Sequence, residues 1–154
     1  MSDVAVDLDA RVRAEVDRTR EEVTETRRLL HQHPELSLQE QNTAMLVARR
    51  STDLGFTVRT GVGGTGVLAE LESGKPGPTL MLRADMDALP ISERGEGRVV
   101  TSAVDGVMHA CGHDGHVAMA LGAASALVAL RDSWSGRVGS ASSRPRRPPR
   151  ARCR

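Results

Sequence analysis

Leu8, Val12, Val16, Val23 and Leu30 recur at intervals of four or seven residues. That spacing lays one apolar stripe along a helix over residues 8–30, with charges on the opposite face. The run His31-Gln32-His33-Pro34 ends it, because proline disfavours helical backbone at the residue before it. A second helix is predicted from Leu38 to Leu54, turning Met45, Leu46 and Ala48 inward and stopping at Gly55. The period then shortens. Phe56 to Thr60 alternates like a strand, Gly61 to Gly66 is a glycine-rich turn, and Val67 to Leu71 reads as the partner strand. After the Gly74–Pro78 turn, Thr79-Leu80-Met81-Leu82 is a continuous apolar run fit for a buried central strand. Residues 92–103 are polar and loop-like. From His116 to Leu130 nearly every residue is small or apolar, which predicts a helix lying close on a sheet, Gly122 and the alanines permitting the approach. The order of elements predicts an α/β fold with two helices, a sheet of at least three strands and a packing helix.

Composition narrows the function classes. The 154 residues are 39% hydrophobic and 27% charged, ordinary for one globular domain. With one Phe, one Trp and no Tyr, the core must come from Leu, Val, Ala and Met, and no stacking surface for bases or sugars is expected. No stretch reaches the roughly 20 apolar residues that cross a bilayer, so no membrane partner is expected. The acidic start Met1-Ser2-Asp3 is unlike a signal peptide. Two cysteines, Cys111 and Cys153, make no disulfide framework, so a reduced, cytoplasmic setting is expected. Residues 1–136 carry a net charge of −6, whereas residues 137–154 carry seven Arg and no acid. The expected organisation is a folded body over 1–136 and a basic, disordered tail over 137–154.

Glycine-rich Gly61–Gly66 is not a dinucleotide fingerprint, because a strand rather than a helix follows it. Two other clusters carry candidate chemistry. Arg83-Ala84-Asp85-Met86-Asp87-Ala88-Leu89-Pro90 puts two carboxylates at the carboxyl end of a predicted strand, where open α/β sheets bind ligands. Asp side chains also cap loops, and this cluster alone fits either role. Met108 to His116 holds His109, Cys111, His113 and His116 within eight residues. Imidazole and thiolate are the ligands Zn²⁺ prefers, and a Cys-x-His spacing in an irregular loop can aim both at one ion. The competing reading is a loop with incidental histidines. A structural zinc finger lacks its second ligand pair here. Carboxylates on one loop and Cys/His on the next describe half a metal site, suited to metal-activated water attacking an amide.

Three strings, Arg28 to Ser37 (Arg-Leu-Leu-His-Gln-His-Pro-Glu-Leu-Ser), Leu82 to Ile91 and Gly106 to His116, stand in the order and spacing of a known signature set. The chain resembles, from about residue 10 to residue 136, the metallopeptidase family that includes N-acyl-amino-acid amidohydrolases, hippurate hydrolases and auxin-conjugate hydrolases. The resemblance implies a partial catalytic domain of a zinc-peptidase-like fold, with helices packed on a mixed sheet. It implies Cys111 and His113 as metal ligands and Asp87 as the residue orienting the metal site. Asp85 falls where more distant relatives carry a histidine ligand. His109, Asp114 and His116 are expected behind the ligands, and His31 and His33 in packing and helix-end roles. It further implies two divalent ions (Zn, Mn or Co), a small N-acyl amino acid as substrate, and homo-oligomers built through a smaller inserted domain that this chain lacks. A zinc nucleobase deaminase would need a Glu two residues after its ligand His and a Pro-Cys-x-x-Cys run, and neither occurs.

The family pattern breaks near Gly136. Relatives continue into a strand ending Phe-Gln-Pro-Ala-Glu-Glu, whose first Glu is the general base and second a metal ligand. Here the chain reads Ser142-Ser143-Arg144-Pro145-Arg146-Arg147-Pro148. The bases TTC CAG CCG GCC GAG GAG GCC encode Phe-Gln-Pro-Ala-Glu-Glu-Ala; read one base later they encode Ser-Ser-Arg-Pro-Arg-Arg-Pro. A one-base frameshift between about Gly136 and Ala141 is therefore expected, and with it a chain inactive on its own and an unfinished sheet with exposed strand edges. The alternative is a non-catalytic metal-binding fragment or pseudogene product. A third reading, the tail as a basic arm on nucleic acid, would give only weak, salt-sensitive attachment.

Overall fold

The computed structural model describes residues 3–142, with side chains from Asp7 onward. Helix α1 spans Asp3–Gln32 and α2 spans Gln41–Asp53. Strands β1 (Thr57–Val62), β2 (Gly66–Glu72) and β3 (Thr79–Ala84) follow. Helix α3 (His113–Ala129), a 3-10 turn and strand β4 (Arg137–Ser142) complete the fold. The four strands form one mixed sheet in the order β1-β2-β4-β3. β1–β2 and β2–β4 are antiparallel, while β3 and β4 run parallel with α3 as the crossover between them. Among the described residues, no helix is long and apolar enough to cross a membrane.

Local chemistry explains the joins. The Glu35 carboxylate accepts hydrogen bonds from the Asn42 and Thr43 backbone N–H groups, at 3.0 and 2.8 Å. It thereby satisfies the free donors at the start of α2 from outside the helix. Glu40, buried at that same start, instead accepts from the Thr65 hydroxyl at 2.7 Å and ties α2 to the β1–β2 turn. One face of the sheet carries the core, where Leu30, Val47, Val67, Ala84, Met86 and Val117 pack together beside a second group of Phe56, Ala69, Leu71 and Ala124. Gly122 lets α3 lie against α1, since a Cβ there would come within 2.7 Å of Val23 Cγ2.

Several expectations are corrected. Thr79–Leu82 is not central: β4 takes the place between β2 and β3, leaving β3 at the sheet edge with Leu80 and Met81 55% and 54% exposed. An apolar run alone does not tell edge from centre. The boundary at residue 136 also moves, because Arg137–Ser142 forms the inner strand β4; residues 143–154, the rest of the expected tail, lie outside the described residues. Met45 is 62% exposed, and α2 turns Thr43, Val47 and Ser51 inward instead. On α1, Leu8, Val12 and Val16 stay partly exposed while Thr19, Thr26, Leu30 and His31 are buried. Their threonine hydroxyls bond back into the helix, Thr19 to Glu15 O and Thr26 to Glu22 O, so polarity does not bar them from a buried face.

Candidate metal centre

Parallel pairing sets the site's address. Ala84 of β3 lies opposite Ser142 of β4, so both strands end at the same side of the sheet. The loop leaving β3 carries Asp85 and Asp87 past that end, and α3 begins there at His113. Two short bridges hold the loops together: Leu89 and Met108 exchange backbone hydrogen bonds of 3.0 and 3.1 Å, and Ala88 N–H donates to Glu35 O at 2.8 Å.

Asp87 and His113 meet directly. His113 Nδ1 lies 2.8 Å from the Asp87 backbone oxygen and 3.1 Å from its carboxylate Oδ1, and Asp87 is buried. With Nδ1 donating to the Asp87 backbone oxygen and the carboxylate close by, Nε2 carries the lone pair, the arrangement of a histidine prepared for a metal. Cys111 is exposed, two residues earlier, across Gly112 at φ +75°. That left-handed turn at the helix start is one glycine adopts freely. The His116 ring lies 5.5 Å from that of His113. Asp85 points elsewhere and pairs with Arg83 at 2.6 Å. Among the described residues, no group of three or more His, Cys, Asp or Glu side chains is arranged to hold a metal ion. The donor types fit part of a metal centre: an imidazole held by the Asp87 backbone with its carboxylate close by, and an exposed cysteine two residues earlier in the chain.

Behind this pair lies a network that sequence reasoning missed. Asp114, buried next to His113, receives Arg27 Nε at 2.9 Å and faces His31 Nδ1 at 2.7 Å. The other ring nitrogen of His31 lies 3.0 Å from Glu93, which also accepts from Arg98 at 2.7 Å and from the Ser102 backbone N–H at 2.6 Å. The Ser102 N–H, with His31 and Arg98 adding to it against the cost of burial, brings the Glu93 carboxyl down to about 2. His31 is thus more than a helix-end residue: it joins α1, α3 and the 92–103 loop. Its place in the first family-like string was the only signal. His109 is buried, and neither ring nitrogen has a hydrogen-bond partner among the described residues. Burial holds its pKa below the ordinary imidazole value; Asp114 pulls it up, while His31 and His113 push it further down. His33, by contrast, is exposed. A partly open pocket of about 160 Å³ lies among the three helices, lined by Val23, Arg50 and Gly122, and none of the candidate ligands lines it.

A parallel β–α–β unit presenting polar side chains at the carboxyl ends of its strands is the layout of an α/β enzyme. Residues 81–141 match the sequence profile of peptidase family M20/M25/M40. The chain is 46% identical to thermostable carboxypeptidase 1 of Saccharolobus solfataricus, over 86% of this chain and 34% of that protein. It is 45% identical to an N-acyl-L-amino acid amidohydrolase of Geobacillus stearothermophilus, over 80% of this chain and 33% of that protein. Its fold superposes with a TM-score of 0.74 on the Bacillus subtilis YXEP protein, solved as a dinuclear metal-binding peptidase of the M20 family. That match is 39% identical and covers 79% of this chain and 34% of that one. The chain belongs to the M20/M25/M40 peptidase family, whose members are hydrolases, and spans about a third of the length of the curated relatives it matches.

Proposed function

We propose that the gene, read in its restored frame, encodes a metal-dependent hydrolase of the amide bond in N-acyl or N-aroyl amino acids. This chain carries the first part of its metal centre. In this reading Cys111 and His113 hold divalent ions of the Zn, Mn or Co class, two in the whole enzyme, and Asp87 fixes the His113 ring. Asp85, His109, Asp114 and His116 stand behind them. When bound, the ions polarise the amide carbonyl and make a water acidic enough to attack it. The enzyme is cytoplasmic, acts on small substrates rather than nucleic acid or membrane, and assembles as a homo-oligomer when whole.

The observation that carries this reading is the His113–Asp87 contact at the carboxyl end of β3, which prepares one imidazole for a metal. The pairing of Ala84 with Ser142 supports this reading, since β4 ends beside the start of the loop that carries Asp85 and Asp87. The restored frame encodes two adjacent glutamates a few residues after Ser142, where this frame encodes Arg146 and Arg147. Without a general base and an acidic ligand, the present chain binds metal weakly and hydrolyses nothing measurable.

The test compares this chain with the restored-frame protein on an N-acetyl amino acid, with chelator and with Zn²⁺, Mn²⁺ or Co²⁺ added back. The restored protein should hydrolyse it, lose activity to chelator and regain it with metal; this chain should not. Asp87→Asn in the restored protein should weaken metal binding about 10–100-fold. Turnover by the present chain that Cys111→Ala abolishes would show the centre to be complete as it stands. Chelator-resistant hydrolysis by the restored protein, or a locus with no Gln-Pro-Ala-Glu-Glu in the uninterrupted frame, would refute the proposal. The non-catalytic alternative draws on the absence, among the described residues, of three or more gathered ligand side chains, and the same assay decides it.

A further inference from the structure

We infer that the pocket among α1, α2 and α3 is a binding site for a small alkylammonium ion, whose apolar end enters and whose charged end stays at the mouth. Val23, Leu54 and Leu121 supply apolar lining, and α3 adds the small residues Ala118 and Gly122, which leave room that larger side chains would fill. The volume is about 160 Å³. An apolar cavity of roughly 150 Å³ takes a six-carbon ring, so a ligand of about six non-hydrogen atoms has the right size. None of the residues assigned to the metal centre lines this pocket, so the site stands apart from that reading.

The polar groups in the lining decide what kind of ligand it takes. Thr19 and Thr26 are buried there, and each spends its hydroxyl hydrogen on its own helix. Thr19 donates to Glu15 O at 2.8 Å and Thr26 to Glu22 O at 2.7 Å. Their oxygens keep only lone pairs, so they can accept a further hydrogen bond but not give one. Charge points the same way. Glu22, Asp53 and Arg50 also stand in the lining, and Arg50 is already paired with Glu22. Asp53 meets Arg49 at 3.9 Å with both side chains largely exposed, a contact worth little. One negative charge is thus left over beside an apolar pocket whose hydroxyls are acceptors. An ammonium group brings three donors and the opposite charge, whereas a carboxylate brings neither.

These terms set the expected selectivity. Because Asp53 is exposed, charge should favour an amine over the alcohol of the same shape by only about 3–5-fold, and less as salt rises. The alkyl part should matter more: shortening a five-carbon amine to ethylammonium removes three buried carbons and should weaken binding by about tenfold or more.

The test is a proton–nitrogen correlation NMR titration of the 154-residue chain at pH 7, where a primary amine is charged as a lysine is. Isopentylammonium should bind with a Kd of about 1–10 mM, shifting the amide signals of Val23, Leu121 and Gly122 most. Isopentanol should bind at the same place about 3–5-fold more weakly, and isovalerate more weakly still. Asp53→Asn should erase the preference for the amine while leaving the affinity for the alcohol unchanged. Ser125→Leu, which puts a larger side chain into the lining, should abolish binding of both. Should that variant not fold, the Asp53→Asn comparison and the location of the shifts decide. No shift around Gly122 at about 50 mM amine, an alcohol or acid bound as tightly as the amine, or a preference that survives Asp53→Asn would each overturn the proposal.

Discussion

Replacing Asp114 with alanine should destabilise the fold more than any change at the surface, and the structure sets the size of the loss. Asp114 is 1% exposed and accepts from Arg27 while facing His31. Removing one member of a buried ionic pair costs about 3–5 kcal/mol when its partner stays buried. Arg27, at 43% exposure, can turn to water, so its share of that cost is small. His31 cannot, being buried, and with Asp114 gone its Nδ1 keeps only the Arg27 guanidinium 3.1 Å away. We expect a loss of about 2–4 kcal/mol, which lowers a urea midpoint by roughly 1–2 M if the slope is about 2 kcal/mol/M. The assay is equilibrium urea unfolding followed by circular dichroism, on a variant shown to be monodisperse. Asp132→Ala, which breaks the exposed pair with Arg11, serves as the control and should leave the midpoint where it was. Combining Asp114→Ala with His31→Gln should cost less than the two single losses added, because both remove the same contact. A loss under about 1 kcal/mol, or strict additivity, would show that the network does not hold the start of α3.

Two further outcomes follow from the same geometry. Gly122→Ala trades a gain of up to about 1 kcal/mol in helix propensity against a Cβ only 2.7 Å from Val23 Cγ2; it should destabilise by about 1–2 kcal/mol, with Val23→Ala restoring the loss in a thermal melt. Glu93, held near 2 against an ordinary value of 4.5, contributes stability fully present above about pH 5 and lost as pH falls toward 2; Glu93→Gln should flatten that part of the stability–pH curve, and an unchanged slope would contradict it.

Periodicity and turn chemistry made most of the fold legible. The stripe ending at Pro34 predicted α1, and Gly55 marked the end of α2. The hairpin around Gly61–Gly66 follows from residues able to take positive φ. What could not be read was sheet order. Thr79–Leu82 and the stretch after Gly136 differ in hydrophobicity in the opposite sense to their burial: the apolar strand lies at the edge and Arg-Val-Gly-Ser-Ala-Ser lies inside. Gly139 is tolerated there because Met81 folds over it, 3.0 Å from where a Cβ would stand. Pairing partners are a tertiary matter that a single strand's composition does not encode.

The site was legible where ligand chemistry is local and illegible where it is not. Cys111, His113, Asp85 and Asp87 lie within two short strings, and the structure brings Asp87 and His113 together as a pair, with Asp85 turned to Arg83. Glu93, Arg27 and Arg98 come from three separated segments, and nothing in their spacing links them to His31.

That difference bears on how the proposed centre keeps its form. The His113 ring is held by Asp87 through contacts that need no metal, and the first turn of α3 is held by Asp114 through α1. The contacts named here lie among residues 7–142. A half-centre built this way should retain its geometry when the remaining ligands are missing, since its order comes from buried hydrogen bonds and not from the ion. On the proposed frameshift, the restored frame adds carboxylates to a preformed imidazole, so metal affinity should rise with little change in the stability of residues 3–142. If metal binding instead raised the unfolding midpoint of the isolated chain as steeply as that of the restored protein, the ion would be organising the loop, and the network behind His113 would be secondary.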